Sequence, residues 1–288
     1  MWASRVTSVS IITPAHRAEP FLARAVASVC GQTYRDWELL VVSDDGVDYR
    51  AWVARAGIDD ARIRFLATPT PASGPAAARN LALAEARGDL IAPLDADDLF
   101  YPERLACLVP LAKRYGMAGD NVRAVDDGRG EWLATLFPEG SGPRWIGLRD
   151  YARTSIPMTF VFRRDVLTWR WEEGIGFAED TLFNLRGFEA LGRVPVSAAV
   201  LHEYRVRPGS LCHAPDSAER AELAYTMAID RLARDGLGFR TPAARLLVRE
   251  LLVARRSLNR AFRASLAAGR CQDFQEFIAG RVVAPDAA

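Results

Sequence analysis

The sequence predicts an α/β protein: helices on both faces of a mostly parallel central sheet, followed by a helical C-terminal extension. Three observations carry that expectation. Through the first hundred residues, β-branched apolar stretches alternate with amphipathic ones, the rhythm of strand–helix–strand crossovers. Acidic residues collect where those strands run out, which is where open parallel sheets gather ligands. Beyond residue 214 the composition turns helical, with an apolar stripe among many arginines.

Each element has its own warrant. "VTSVSIIT" (6–13) is β-branched and apolar throughout and reads as a buried strand. Pro20 suits the first turn of a helix striped by Leu22, Val26, Val29 and Cys30 and stopped by Gly31. "WELLVVSDDG" (37–46) is a second buried strand ending in acid and glycine, and "ARIRFLAT" (61–68) alternates like a third. "GPAAARNLALAEARG" is a helix opened by Pro75, striped by Ala77, Leu81 and Ala84, and closed by Gly88. "DLIAPL" is a fourth strand, although Pro93 removes one ladder hydrogen bond. From 115 to 210 the turn signals "DDGRGE" and "PEGSGP" separate what read as short strands. In a helix over 242–266, Leu247, Leu251, Ala254, Leu258 and Phe262 form the stripe. The expected organisation is one domain over 1–213, made of halves 1–110 and 111–213, then a helical extension over 214–288.

Composition excludes several classes. With 288 residues, half of them apolar and a quarter charged, the chain can bury a full core. Its 37 basic and 36 acidic residues nearly cancel, so no bulk field favours nucleic acid. Cys30, Cys107, Cys212 and Cys271 lack zinc-site spacing and read as reduced thiols. The N-terminus does not read as a signal peptide, and no apolar run would cross a bilayer. A cytoplasmic protein is the expectation.

The acids of "GDLIAPLDADDLFYPERL" are the first chemical signal. Asp95 and Asp97, one residue apart, point to the same side of an extended segment and suit Mg²⁺ or Mn²⁺. The competing reading makes this a helix start, with Asp98 capping a helix that begins near Pro102. Thr13, Asp44 and Asp45 stand at two other strand ends. A second carboxylate pair, Glu179 and Asp180 in "GFAEDTLFNLR", is either the acidic first turn of a helix or a mount for a general base. Trp169 and Trp171 could stack on a sugar or fill the core. His202 and His213 are scattered, the usual pattern of structural histidines.

Together "VSIITPAHRAEPFLARAVASVCGQTYRDWELLVVSDDG", "GPAAARNLAL" and "GDLIAPLDADDLFYPERL" resemble the nucleotide-sugar half of family 2 inverting glycosyltransferases. The likeness covers residues 9 to about 110 and resumes at "GFAEDTLFNLRGF" and "YRVRPGSL". It implies the GT-A type of α/β/α sandwich, a UDP-linked sugar donor and a Mn²⁺ or Mg²⁺ cofactor. It implies nucleoside contacts at Thr13 and Asp45, with Asp44 beside them, and a donor-side role for Arg79. Asp95 would face the ribose or sugar, and Asp97 would bind the metal on the two phosphates. Asp180 would be the base, with Glu179 shaping the acceptor side. Arg205 or Arg207, with Ser210, would fold over the donor diphosphate. His16, Arg17 and Val47 depart from the family pattern.

The implied acceptor is a saccharide, free or lipid-linked. The arginine-rich last helix could then touch anionic lipid at the inner membrane face, or pack its apolar stripe onto the main domain or onto a second copy. Rival readings are a sugar-phosphate nucleotidyltransferase, a two-carboxylate glycosidase and a nucleotide-sugar-binding scaffold without turnover. "TPAHRAEP" lacks the glycine-rich loop of the first. Carboxylates at parallel strand ends disfavour the second. The joint presence of Asp97 and Asp180 disfavours the third.

Overall fold

The computed structural model describes residues 8–138, 142–154, 156–207, 209–210, 214, 216–271, 274 and 277. The chain forms two compact units, Met1–Arg205 and Val206–Ala288. The first begins with β1 (Val9–Ala15), α1 (Leu22–Cys30), β2 (Trp37–Ser43), α2 (Tyr49–Arg55), β3 (Ile63–Ala67), α3 (Pro75–Glu85), β4 (Leu90–Pro93) and β5 (Leu99–Phe100). It continues through α4 (Arg104–Tyr115), β6 (Met117–Asp126), β7 (Trp132–Thr135), β8 (Arg144–Ile146), α5 (Leu148–Ala152), β9 (Val161–Arg163), α6 (Glu179–Leu191) and β10 (Val194–Val206).

The strands run in the order β3-β2-β1-β4-β9-β6-β10-β5, with β7 added to β6 and β8 to β10. Pairing is parallel across β3-β2-β1-β4 and antiparallel for β4-β9, β9-β6 and β10-β5, which makes the sheet mixed. Buried-strand sequences bring this about. Ile11, Leu39, Val41, Leu90 and Ala92 face a core shared with Leu22, Val26, Leu105 and Leu108 of α1 and α4. The alternate residues Ile12, Leu40 and Ile91 are buried too, on the face where α3 packs against β1 and β2. Gly88 permits this closeness, since a Cβ there would lie 2.5 Å from the backbone nitrogen of Ser10.

Several expectations change. The turn-rich stretch 115–210 holds two long strands, β6 of 10 residues and β10 of 13. Their polar residues take partners outside these strands, Asp120 with Arg104 of α4, Asn121 with the Phe137 backbone and His202 with Asp98, which broke the periodicity. On α3 the buried positions are Ala76, Ala78, Arg79 and Ala82, not the stripe Ala77, Leu81 and Ala84. A helix this rich in alanine has no strong apolar face, so the partners of Arg79 choose which side is buried. Asp98 caps no helix: α4 starts at Arg104 and its N-cap is Glu103.

Pro93 turns out to break nothing. Leu90 and Leu94 donate to β1, so the alternate position 93 faces β9, whose pairing with β4 ends at Ile91. The missing N–H therefore lies where the ladder has already stopped.

In the second unit, α7 (Ser217–Asp235) contacts α8 (Pro242–Ala267). Arg256 and Arg260 of α8 donate to Glu222 of α7, and Asn259 donates to the Ala218 carbonyl at 2.8 Å. The buried line is accordingly Ala244, Val248, Leu252, Asn259 and Phe262; Phe262 belongs to the expected stripe, and Val248, Leu252 and Asn259 lie one position off it. Leu247, Leu251 and Leu258 flank it, and Ala254 is exposed. Cys30, Cys107 and Cys271 are free thiols. Cys212 and His213 lie outside the described residues.

Glu38 joins several parallel elements. Its carboxylate accepts from Ser10 Oγ on β1 (2.7 Å), the Arg87 N–H before β4 (2.7 Å) and Arg64 Nη1 on β3 (3.0 Å). Burial alone would raise its pKa, but these donors hold it below the usual 4.5. A depressed carboxylate stabilises the fold above its unfolded pKa and ceases to as pH falls through the folded value. We therefore expect Glu38→Gln to cost about 1–3 kcal/mol at neutral pH. The difference from wild type should shrink below pH 4.5, as followed by urea unfolding across the acid range.

Candidate active site

The loops at the ends of β1 and β2 are fastened by the acids that follow them. Asp44, buried, accepts from Thr68 Oγ1 (2.8 Å), Ser73 N–H (3.0 Å) and Gly74 N–H (2.8 Å), and so holds the β3–α3 loop. Asp45 accepts from Arg17 N–H (2.6 Å) and Tyr49 OH (2.7 Å) on one oxygen, and from Ser43 Oγ and Val47 N–H on the other. Burial would raise its pKa; the four donors lower it. They also engage all of its lone-pair positions. Thr13 is buried at the end of β1, and its Oγ1 makes no hydrogen bond among the described residues. Among the described residues of this unit, three non-glycine residues have left-handed backbones: Arg17 (φ 50°), Ala72 (φ 60°) and Ala178 (φ 66°). Arg17 and Ala72 lie in loops that bond Asp45 and Asp44, and Ala178 directly precedes Glu179, a placement of strained backbone next to candidate site residues.

A cleft opens where β9 has left β4. Arg79, Pro93, Asp95, Asp98, Pro157, Met158, Thr159, Trp171, Asp180, Asn184 and His202 line it. Asp95 and Asp180, one from each carboxylate pair read from the sequence and 85 residues apart, thus line one cleft, whereas Asp97 is not among its lining residues. Arg79 joins the two pairs, with Nη2 at 2.5 Å from Asp95 Oδ1 and Nη1 at 3.0 Å from Glu179 Oε1. Burial would lower the pKa of Arg79, but Asp95, Glu179 and Asp180 raise it. Glu179 is pushed up by burial and by Asp180, against the pull of Arg79.

Helix α6 presents Glu179 and Asp180 in its first turn. Gly187 lets the helix approach the sheet, since a Cβ there would meet Met117 Sδ at 2.9 Å. Asn184 donates to Tyr151 OH and to the Met158 carbonyl, fixing α6 to the segment before β9. Asp180 is half-buried at the cleft and accepts from the Thr181 N–H.

Asp98 is turned inward. Its Oδ1 accepts from the Arg205 N–H at 2.9 Å, and Oδ2 lies 3.3 Å from His202 Nε2. Burial and the charges of Asp97 and Asp95 push its pKa well above the carboxylate range. Burial and the charge of Arg104 lower His202 to about 4. His202 looked like a structural histidine; only the pairing of His202 with Phe100 brings it behind the acidic turn. Asn80 was likewise missed. Its side chain bonds the N–H and the carbonyl of Trp171, both at 2.9 Å.

Other expected residues fall elsewhere. Trp171 borders the cleft, but Phe183 stacks on one face of its ring at 3.6 Å. Trp169, half-buried, packs against Phe162 and Phe183. The guanidinium of Arg205 is engaged by Asp127 (2.5 Å) and Glu203. Ser210 belongs to the second unit, where its Oγ is buried without a hydrogen bond among the described residues.

No group of three or more His, Cys, Asp or Glu side chains forms a cage for a metal among the described residues. Asp95 and half-buried Asp97 are the oxygen donors, and Asp98 still feels their negative charge despite Arg79. Two carboxylates are the number a hard divalent cation takes when its other ligands are phosphate and water.

The sequence profile of glycosyl transferase family 2 matches residues 10–169. The succinoglycan biosynthesis protein ExoO of Rhizobium meliloti is 28% identical over 289 residues, covering 91% of this chain and 82% of that protein. The glucosyltransferase WfgD of Escherichia coli is 43% identical over 97 residues, 34% of this chain and 38% of WfgD. In fold, the chain resembles the S. aureus TarS fragment 1-349 solved with UDP-GlcNAc, at a TM-score of 0.65 and 20% identity, over 86% of this chain and 72% of that one.

The Arg79 bridge makes a sharp prediction. Arg79→Ala strands Glu179 beside Asp180 and should cost about 3–5 kcal/mol of stability. Adding Glu179→Gln should recover part of that loss. A double-mutant cycle in denaturant measures the coupling.

Proposed function

The chain belongs to glycosyl transferase family 2, and from that premise we propose a metal-dependent inverting enzyme that moves a hexose from a UDP-sugar to a saccharide hydroxyl. One observation carries this reading: Asp95 and Asp180 line the same cleft, with Arg79 between the two halves. The relatives support its terms. ExoO is named for succinoglycan biosynthesis. WfgD is named for transfer from UDP-Glc to a diphosphoundecaprenol-linked GlcNAc, and TarS was solved with UDP-GlcNAc. Polysaccharide or glycoconjugate assembly is therefore the setting we assign.

Asp97, with Asp95, would hold Mn²⁺ or Mg²⁺, which when bound supplies Lewis-acid stabilisation to a departing nucleoside diphosphate. The chain's own residues do the rest. Thr13 offers a buried hydroxyl, and Asp45 shapes the loop at the nucleoside end. A base contact by Asp45 would exchange one of its present donors. Asp180 accepts the acceptor's proton on the side away from the leaving group, as inversion requires. Glu179 bonds Arg79 and so is set apart from that task, and Arg79 screens the carboxylates from one another. In this role a diphosphate contact by Arg205 would need its pairs with Asp127 and Glu203 to open.

No helix among the described residues is long and apolar enough to cross a membrane. Helix α8 exposes Leu246 and Val253 beside Arg249. For a lipid-linked acceptor, we assign this face to contact with anionic lipid at the inner membrane surface; pairing of two copies is the alternative.

Asp97→Ala should abolish the Mn²⁺-dependent part of thermal stabilisation by UDP. Asp180→Asn should retain that stabilisation and lose about 10²- to 10⁴-fold in turnover of a UDP-sugar. Full turnover by Asp180→Asn would overturn the base assignment. UDP stabilisation without any metal effect would overturn the metal.

A further inference from the structure

We propose that His202 is a positioning residue for the acidic turn Asp95–Asp98, held from the core as the Nε2–H tautomer so that it donates to Asp98 and sets the attitude of Asp97. The inference rests on the metal-binding reading of Asp97 for its consequence, but not for the geometry of the chain behind it.

That chain begins at a charge that cannot be moved. Arg104 and Asp120 are both fully buried, with Nη2 at 2.9 Å from Oδ1. A guanidinium carries donors only. Arg104 Nη2 donates to the Thr159 carbonyl at 2.9 Å and to Thr159 Oγ1 at 3.2 Å. The hydroxyl has then accepted one bond, and its own hydrogen is left for His202 Nδ1, at 3.3 Å. If Nδ1 accepts, the ring's hydrogen resides on Nε2. Among the described residues Nε2 is buried without any aligned hydrogen bond; Asp98 Oδ2 lies 3.3 Å away and off the ideal line, and an Nε2–H there favours the ionised Asp98 that burial and the charges of Asp97 and Asp95 oppose.

Burial supports the neutral ring. His202 is 1% exposed, and Phe100 meets it edge-on at 5.7 Å. The charged groups around it are Arg104, Asp120, Asp98, Asp95 and Glu203, among which Arg104 opposes protonation.

Position follows from β10. Its His202 pairs with Phe100 and its Glu203 with Leu99, the two residues that follow Asp98. The Arg205 N–H takes the second oxygen of Asp98. Asp98 N–H in turn donates to the Asp95 carbonyl at 3.1 Å, closing the turn that carries Asp97. A strand, a ring and one backbone amide thus fix the carboxylate next to the metal-facing one, the arrangement by which outer groups orient metal ligands.

The test compares His202→Leu, His202→Gln and Thr159→Val with wild type and Asp97→Ala. In ligand-free protein, long-range ¹H–¹⁵N spectra should show His202 as the Nε2–H tautomer, unchanged between about pH 6 and 8. Thr159→Val should admit the other tautomer. A charged ring, or an Nδ1–H tautomer in wild type, overturns the proposal. The Mn²⁺ concentration giving half-maximal UDP-dependent stabilisation should rise about 10- to 100-fold in His202→Leu. His202→Gln, whose amide can donate from the Nε2 position, should restore most of it. If Asp97→Ala abolishes the Mn²⁺ response while His202→Leu matches wild type, positioning by His202 is wrong. If Asp97→Ala leaves the response intact, the metal reading has failed instead. Should His202→Leu not fold, failure of His202→Gln to bind Mn²⁺ and UDP as wild type does would overturn the proposal alone.

Discussion

The site depends on one buried guanidinium. Arg79 is delivered by α3 to a place where water cannot solvate it, and an isolated charge there would be prohibitively costly. It is tolerated because Asp95, from the end of β4, and Glu179, from the start of α6, each take one of its terminal nitrogens. The dependence is mutual: without Arg79, Glu179 would sit buried beside Asp180 with no cation. This mutual need draws two parts of the chain into one cleft. Asn80, the next residue on α3, ties the Trp171 backbone to the same helix. Two adjacent residues therefore join the segment before β5 to the one that carries Glu179 and Asp180.

The acidic turn is stable for a related reason. Three aspartates within four positions would repel one another in open solution. Here they have different surroundings: Asp95 bonds Arg79, and Asp98 is folded inward against β10. The early end of the β4–β9 pairing leaves a gap at Pro93, so the turn opens on a cleft rather than on another strand. The same logic applies at the end of β2, where Asp44 and Asp45 are both held by loop amides and hydroxyls. The strand-end acids thus divide into those that fasten loops and those that face the cleft.

Backbone strain accompanies these loops. Arg17 donates its N–H to Asp45, Ala72 donates to the Asp44 carbonyl, and Ala178 turns the chain into α6. Each left-handed residue costs about 1–2 kcal/mol, and each is held by the acid or helix it serves. The compensation is a fixed attitude for Asp44, Asp45 and the first turn of α6.

The strand–helix rhythm, the strand ends and the two carboxylate pairs were legible from the sequence, because a parallel sheet buries continuous apolar runs and sends the chain to its ligand edge at every strand end. The motifs around Asp45, Asp97 and Asp180 also stood out, since their spacing is local. What each acid touches was not legible. Asp44 and Asp45 read alike with Asp95 and Asp97, yet the first pair is saturated by loop donors. Arg79 was legible as a helix residue on the donor side but its acid partners were not, and His202 looked like a scattered structural histidine. Their roles arise from partners between 16 and 107 residues away. Only the packed tertiary structure can bring such groups to hydrogen-bond distance, and only burial makes their pairing obligatory.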